Sequence, residues 1–447
     1  MTRISVVFVG LLCLVATLQA DAPPNVVLII SDDQGWMDYS FMGHPAIRTP
    51  HLDKLASQSL VYTRGYVPDS LCRPSLASIL TGHYPHRHRI TGNDPQLTGD
   101  LAKRPKAQAL KSPEYTQLRT RYSQNLDEFP KLPSALHAHK GYVSLQTGKW
   151  WERNYSNGGF TTGMSHGVTG QGGRHGDQGL EVGRQGLKPI EEFIDSAVKS
   201  QKPFLVWYAP MLPHTPHNPP QRLLDKYRDQ TPHLPVAKYW AMCEWFDETV
   251  GELLGVLEQR DLTRHTIVVY VTDNGWIQTE TAEGGASGGV RGKRSQYDGG
   301  VRTPIMIRWP GHVTPRRDET HLASSIDLFP TILSAVGVSD KGLLQSLPGV
   351  NLLDEKQVAA RSSVFGEIYE HDVSDIARPA ASLRFLWVVD GEWKLIVPHL
   401  ERVPDGVVEL YHLSEDPDEL RNLAESDPDR VATLRKSLDA HWRPDSP

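Results

Sequence analysis

Asn25-Val26-Val27-Leu28-Ile29-Ile30-Ser31 is an unbroken apolar run, rich in β-branched residues, that ends in Asp32-Asp33. It shows no polar alternation, so both of its faces must be covered, as they are for a strand inside a parallel sheet. Runs of the same kind recur at 142–146, 204–208, 266–271 and 305–307. Segments of helical character lie between them. Thr49-Pro50 offers an N-cap followed by proline in the first turn, opening a helix to about Ser57. Residues 130–140, 189–200 and 238–259 read as further helices; in the last, Tyr239, Met242, Cys243, Phe246, Val250, Leu253, Leu254 and Leu257 recur at helical spacing. Strands alternating with helices predict an α/β fold with helices on both faces of the sheet.

Two stretches interrupt this rhythm. Residues 94–128 are polar and weakly periodic and read as a surface insertion, while 154–184 is glycine-rich and long for a loop, either a functional loop or a surface excursion. Beyond about Ser363 the pattern changes. Arg384–Val389 and Trp393–Val397 alternate around Asp390-Gly391, a hairpin signal, and 407–411 offers another strand. Val431, Leu434, Leu438 and Trp442 share one side of a final helix over 427–442. The expected organisation is a catalytic unit over 21–363 and a smaller antiparallel-sheet-plus-helix unit over 364–447.

The 447 residues are 39% hydrophobic and 22% charged with a formal net charge of −6, which fits a globular protein and lacks the basic surplus of a nucleic-acid binder. Arg3, the apolar stretch from Ile4 to about Leu18 and the small Ala20 read as an export signal over residues 1–20. The stretch is short for a membrane span, which needs about 20 apolar residues. The expected mature chain is therefore exported, periplasmic or secreted, with no membrane span. It keeps only Cys72 and Cys243, which is no disulfide framework, and Cys243 reads as helix core.

The chemistry-bearing residues follow strand ends, where open parallel sheets bind ligands. Asp32-Asp33 follows the first run and Asp273-Asn274 follows 266–271. Four oxygen-bearing side chains with no interleaved His or Cys suit a hard cation, and calcium tolerates an irregular oxygen cage better than magnesium. Cys72-Arg73-Pro74 opens a segment that Gly82 closes, placing Cys72 at a helix N-terminus, where free N–H groups favour an anion. Lys149 follows 142–146, His214 and His217 follow 204–208, and Lys293 precedes 305–307. Lysines beside an anion stabilise developing charge, and a histidine can protonate a leaving oxygen.

Taken in order, these landmarks resemble the formylglycine-dependent sulfatase family of the alkaline-phosphatase-like superfamily. Thr49-Pro50-His51-Leu52-Asp53, Leu80-Thr81-Gly82-His83-Tyr84-Pro85, Trp393-Lys394-Leu395-Ile396 and the 409–417 segment extend the likeness over nearly the whole chain. The resemblance implies a large mixed, mostly parallel sheet sandwiched by helices, with a smaller C-terminal α+β domain. Cys72 and Pro74 match the motif in which a maturation enzyme oxidises cysteine to formylglycine. Asp32, Asp33, Asp273 and Asn274 resemble the Ca2+ ligands, with Cys72 against the same ion. Lys149 and Lys293 resemble the lysines that hold the sulfate, and His214 the histidine that protonates the leaving alcohol. A sulfated small molecule or glycan is the implied substrate. Leu76 stands where the motif has Arg. Trp151 stands where the family often has a His that serves the elimination step, a role left to His166 or a metal-bound carboxylate. The alternatives are a phosphodiesterase or phosphonate hydrolase on the same scaffold, and an inactive sulfated-glycan binder.

Overall fold

The computed structural model describes residues 22–167, 175–276 and 291–444. The expected export segment over residues 1–20 and the middle of the glycine-rich stretch lie outside the described residues. The central sheet contains β1 (Asn25–Ser31), β2 (Leu60–Tyr66), β3 (Val143–Gly148), β4 (Thr162–Gly163), β5 (Phe204–Ala209), β6 (Thr266–Thr272), β7 (Arg302–Arg308), β8 (Arg316–Asp318) and β9 (Ala323–Ser324). Their order is β9-β2-β7-β6-β1-β5-β3-β4, with β8 also on β2. Every neighbouring pair is parallel except those made by β7, which runs against both β2 and β6. The sheet is therefore mixed and mostly parallel, and the carboxyl ends of β1, β3, β5 and β6 open on one edge.

The apolar run of β1 lies at the sheet's middle, and its alternate side chains feed opposite faces. Val26, Leu28 and Ile30 belong to one core with α2 (Cys72–Thr81), α3 (Leu132–Lys140) and α6 (Leu328–Ala335). Val27 and Ile29 belong to the other core with α1 (Pro50–Ser57), α4 (Lys188–Lys199) and α5 (Leu234–Gln259). Two-sided burial of this kind is what a continuous apolar strand requires. Cys243 is fully buried on α5 beside Ile47, Tyr239 and Trp276, as its helical spacing predicts.

A second sheet, β10 (Ser363–Tyr369), β11 (Leu383–Asp390), β12 (Trp393–Pro398) and β13 (Glu409–His412), is antiparallel throughout. The expected hairpin is present, with Asp390 paired to Trp393. On one side Leu395, Leu410 and Val388 pack with Leu434 and Leu438 of α7 (Pro428–His441); on the other, Trp387 and Ile396 join the first core of the central sheet. Trp387 is fully buried, with its ring 5.7 Å from that of Tyr66. Trp387→Ala is expected to cost about 3–5 kcal/mol, because a cavity of that size cannot collapse. Urea denaturation measures this loss, and a cost below about 1 kcal/mol would contradict the shared core.

Residues 94–128 lie largely at the surface, as expected, but they are anchored to the body of the protein at a few positions. A helix over Pro113–Gln124 buries Tyr115 and Tyr122, and Asp94–Pro95 pairs in parallel with Asp372–Val373 of the C-terminal part. The Tyr122 hydroxyl accepts the N–H groups of Thr91 and Gly92 at 2.8 and 2.9 Å. So few apolar residues carry this burial that no helical period shows in the sequence.

Candidate active site

The parallel strands deliver their following residues to one well. Asp32 leaves β1 and Asp273 leaves β6, where Asp273 Oδ1 accepts the Asp33 N–H at 3.0 Å. Asp33 takes a left-handed backbone, φ 62°, which turns its carboxylate back toward the strand ends. Asn274 Nδ2 donates to Asp33 Oδ1 at 2.7 Å. Lys149 follows the end of β3 and Lys293 precedes β7; because β7 is antiparallel, its amino end lies at the same edge.

Cys72 opens α2 and is 1% exposed. Its Sγ receives Lys149 Nζ at 3.1 Å and Lys293 Nζ at 2.9 Å, and lies 3.6 Å from Asp33 Oδ1 and 3.9 Å from Asp32 Oδ1. Lys149 also binds Asp32 Oδ1 at 2.7 Å, and Lys293 binds Asp33 Oδ1. His214 Nδ1 donates to the Thr215 carbonyl at 2.6 Å, which turns Nε2 toward Asp33 Oδ2 at 3.4 Å. Ligand atoms of Asp32, Asp33, Cys72 and His214 all lie within 4.8 Å of one another. The structure thus brings together all eight of the expected site residues.

The charges in this well do not balance within the protein. Asp32 Oδ2, Asp273 Oδ2 and Asn274 Oδ1 are buried acceptors without hydrogen-bond partners. Burial raises the Asp32 and Asp273 carboxyls, and the neighbouring Asp33 charge adds to the rise. Burial acts on Asp33 too, but Lys293 and His214 outweigh it and hold that carboxyl below its usual range. Orphaned buried oxygens are costly, and a carboxylate-and-amide donor set suits a hard cation. A calcium ion fits these residues. Burial also pushes the Cys72 thiol well up against the pull of Lys149 and Lys293, so the unmodified side chain is a protonated thiol and a poor nucleophile. His214 is lowered to about 3 by burial and then by the Lys149 charge, leaving a neutral ring.

The well opens into a cavity of about 260 Å³ whose rim the sequence did not reveal: Asn93, His175, Thr215, Arg294 and His371. Glycine-rich 154–184 contributes His175, whose ring lies 4.9 Å from that of Trp151 and 6.0 Å from that of His214. His166, one of the two groups offered in place of a histidine at 151, does not line this cavity; its ring lies against Tyr155 at 5.8 Å, which leaves the metal-type carboxylates as the other. His217 likewise stays off the cavity wall, against Tyr239 and Trp276. Lone histidines in loops carry no periodic signal, so sequence spacing could not sort them.

Leu76 is buried in the core, and the neighbouring arginine anchors the helix start from another direction. Arg73 binds both oxygens of Glu152 at 2.8 and 2.7 Å, donates to the Asn93 carbonyl at 3.2 Å and lies over the Tyr122 ring at 4.2 Å. Both members of the pair are buried. Glu152→Ala would leave the Arg73 charge unpaired, with an expected stability loss of about 3–5 kcal/mol. A thermal melt reads this loss, and a change under about 1 kcal/mol would show that the pair does not hold the helix start.

Comparison with known proteins agrees with this geometry. The Sulfatase family model matches residues 24–338, and the model described as N-sulphoglucosamine sulphohydrolase, C-terminal, matches 288–442. Arylsulfatase A of Homo sapiens is 31% identical over 369 residues, covering 73% of this chain and 67% of that protein. N-acetylgalactosamine-6-O-sulfatase of Bacteroides thetaiotaomicron is 25% identical over 499 residues, covering 94% of each chain. A solved sulfatase from Pseudoalteromonas sp. superposes with a TM-score of 0.67 at 19% identity, covering 94% of this chain and 90% of that one, which establishes the common fold. With a family model spanning the central sheet and every residue of the well, this chain belongs to the sulfatase family of sulfuric ester hydrolases, within the alkaline-phosphatase-like superfamily.

Proposed function

We propose that the protein hydrolyses carbohydrate sulfate esters, using Cys72 oxidised to formylglycine beside a calcium ion held by Asp32, Asp33, Asp273 and Asn274. The observation that carries this reading is the meeting of Cys72, two lysines and three partnerless acceptor oxygens in one buried well. Held by these side chains, the ion would supply Lewis acidity, and a formylglycine at position 72 would supply, as its hydrate, a hydroxyl nucleophile and an internal route for releasing sulfate.

The chain's own residues do the rest. Lys149 and Lys293 flank position 72 and present two ammonium groups to the sulfate oxygens, where they stabilise charge as the ester bond breaks. With Nδ1–H held by the Thr215 carbonyl, His214 offers Nε2 to the leaving oxygen. An arriving sulfate adds negative charge and raises the proton affinity of that ring. The polar rim, and a relative of matching length that acts on N-acetylgalactosamine 6-sulfate, favour a sugar substrate. Export through residues 1–20 places the activity in the periplasm or outside the cell; among the described residues no helix is long and apolar enough to cross a membrane.

The test is to produce the chain with and without a formylglycine-generating enzyme. The mass of the Cys72 peptide is then measured, together with release from sulfated sugars, aryl sulfates and aryl phosphates. The expected result is aldehyde at position 72 and preferential sulfate release. Dominant phosphate release would favour a phosphodiesterase or phosphonate hydrolase. A retained thiol with sulfated-glycan binding and no turnover would favour the inactive binder.

A further inference from the structure

Away from the well, a second set of metal-type ligands meets where the C-terminal part joins the central layer. His86 lies in the short helix Pro85–His88, Glu367 is on β10, and His441 is the last residue of α7. One ligand atom from each lies within 4.8 Å of the other two. Glu367 is fully buried, and its Oε1 faces both imidazoles: His86 Nδ1 is hydrogen-bonded to it, and His441 Nε2 stands 3.7 Å away. Its Oε2 accepts the Tyr369 hydroxyl at 2.7 Å and the His86 N–H at 2.8 Å, which fixes the carboxylate's rotation.

His441 Nε2 is buried, and its polar neighbour Glu367 Oε1 lies at 3.7 Å, a separation longer than a good hydrogen bond and wide enough for the two atoms to share an ion. Both rings are held in place by aromatic neighbours. Phe365 stacks on His441 with centroids 4.4 Å apart and planes 4° apart, and Trp442 stacks on His86 at 4.7 Å and 8°. The ring edges are thereby fixed toward Glu367, as ligands of a metal need to be.

We propose that His86 Nδ1, His441 Nε2 and Glu367 Oε1 form a transition-metal site of the zinc class that clamps α7 to the catalytic layer. Two neutral imidazoles and one carboxylate are a zinc donor set, with a fourth position open to water. Calcium prefers oxygen donors, so this set is chemically distinct from the oxygen-rich well at Cys72. The Tyr369 hydroxyl on the carboxylate's far oxygen is an outer contact of the kind that orients a metal-bound carboxylate. Nothing here depends on which sulfate ester the enzyme hydrolyses.

The test uses the full chain loaded with calcium. Zn2+ is titrated by calorimetry, and Co2+ by the visible absorption that low-coordinate cobalt shows. The expected result is a zinc site in the wild type that raises Tm, a cobalt spectrum of nitrogen-and-oxygen coordination, and one zinc fewer per chain in His441→Phe. That variant keeps the stack on Phe365, and Glu367→Gln gives the same loss where it folds. No zinc uptake by the calcium-loaded wild type, or equal uptake by wild type and His441→Phe, would overturn the site.

Discussion

Cys72→Ala is expected to lower kcat for sulfate release by more than about 10⁴-fold, the scale seen when a covalent nucleophile is deleted, with little change in folding. Cys72 is buried, but its side chain is small, and the contacts around it survive its loss. Lys149 keeps Asp32, Lys293 keeps Asp33, and α2 keeps its remaining buried residues. What disappears is the atom on which both lysines converge. The oxyanion-type stabilisation by the two ammonium groups stays in place, so a measurable residue of binding should remain. Single-turnover kinetics on an aryl sulfate, with circular dichroism as the folding control, separates the two effects. Activity within tenfold of the wild type would remove Cys72 from the nucleophile's place.

Asp273→Ala is expected to act on the cation and the rate together. Its Oδ1 holds the Asp33 N–H, while its Oδ2 is buried without a partner. Without an ion, burial and the Asp33 charge disfavour the Asp273 carboxylate, which offsets part of the cost of leaving the Asp33 N–H without its acceptor. With an ion the variant loses more, because it lacks an oxygen ligand and its calcium affinity falls. A ligand at 100 times its Kd stabilises a protein by about 2.7 kcal/mol. The wild-type Tm should therefore rise with calcium where that of Asp273→Ala does not. The expected fall in kcat/KM is about 10²–10³-fold, the range for losing one electrostatic contact in a transition state. An equal calcium-induced Tm shift in the two proteins, or full activity under strong chelation, would exclude a cation at these residues.

The same two residue pairs show how far sequence carries. Asp32-Asp33 and Asp273-Asn274 stand at the ends of runs that could only be strands covered on both faces. The abrupt change from apolar to acidic marks both the strand end and the edge where ligands bind. Cys72 at a helix start, Lys149 after a strand and the hairpin around Asp390-Gly391 were legible for the same local reasons. β2 was not legible, since Thr63, Arg64 and Gly65 break its apolar character. Nor was the direction of β7, which depends on its neighbours and not on its own residues.

The linear order of residues determined which segments form strands and helices and which side chains leave strand ends, because burial periodicity and turn chemistry act over a few residues. Only the tertiary structure decided what those side chains meet. Asn93 and His371 face each other across 278 positions of chain at the cavity rim, and Glu367 sits between His86 and His441. The unpartnered oxygens of Asp32, Asp273 and Asn274 become visible only once their surroundings are built. Such meetings depend on strand order and on packing between two sheets, and no local pattern encodes either.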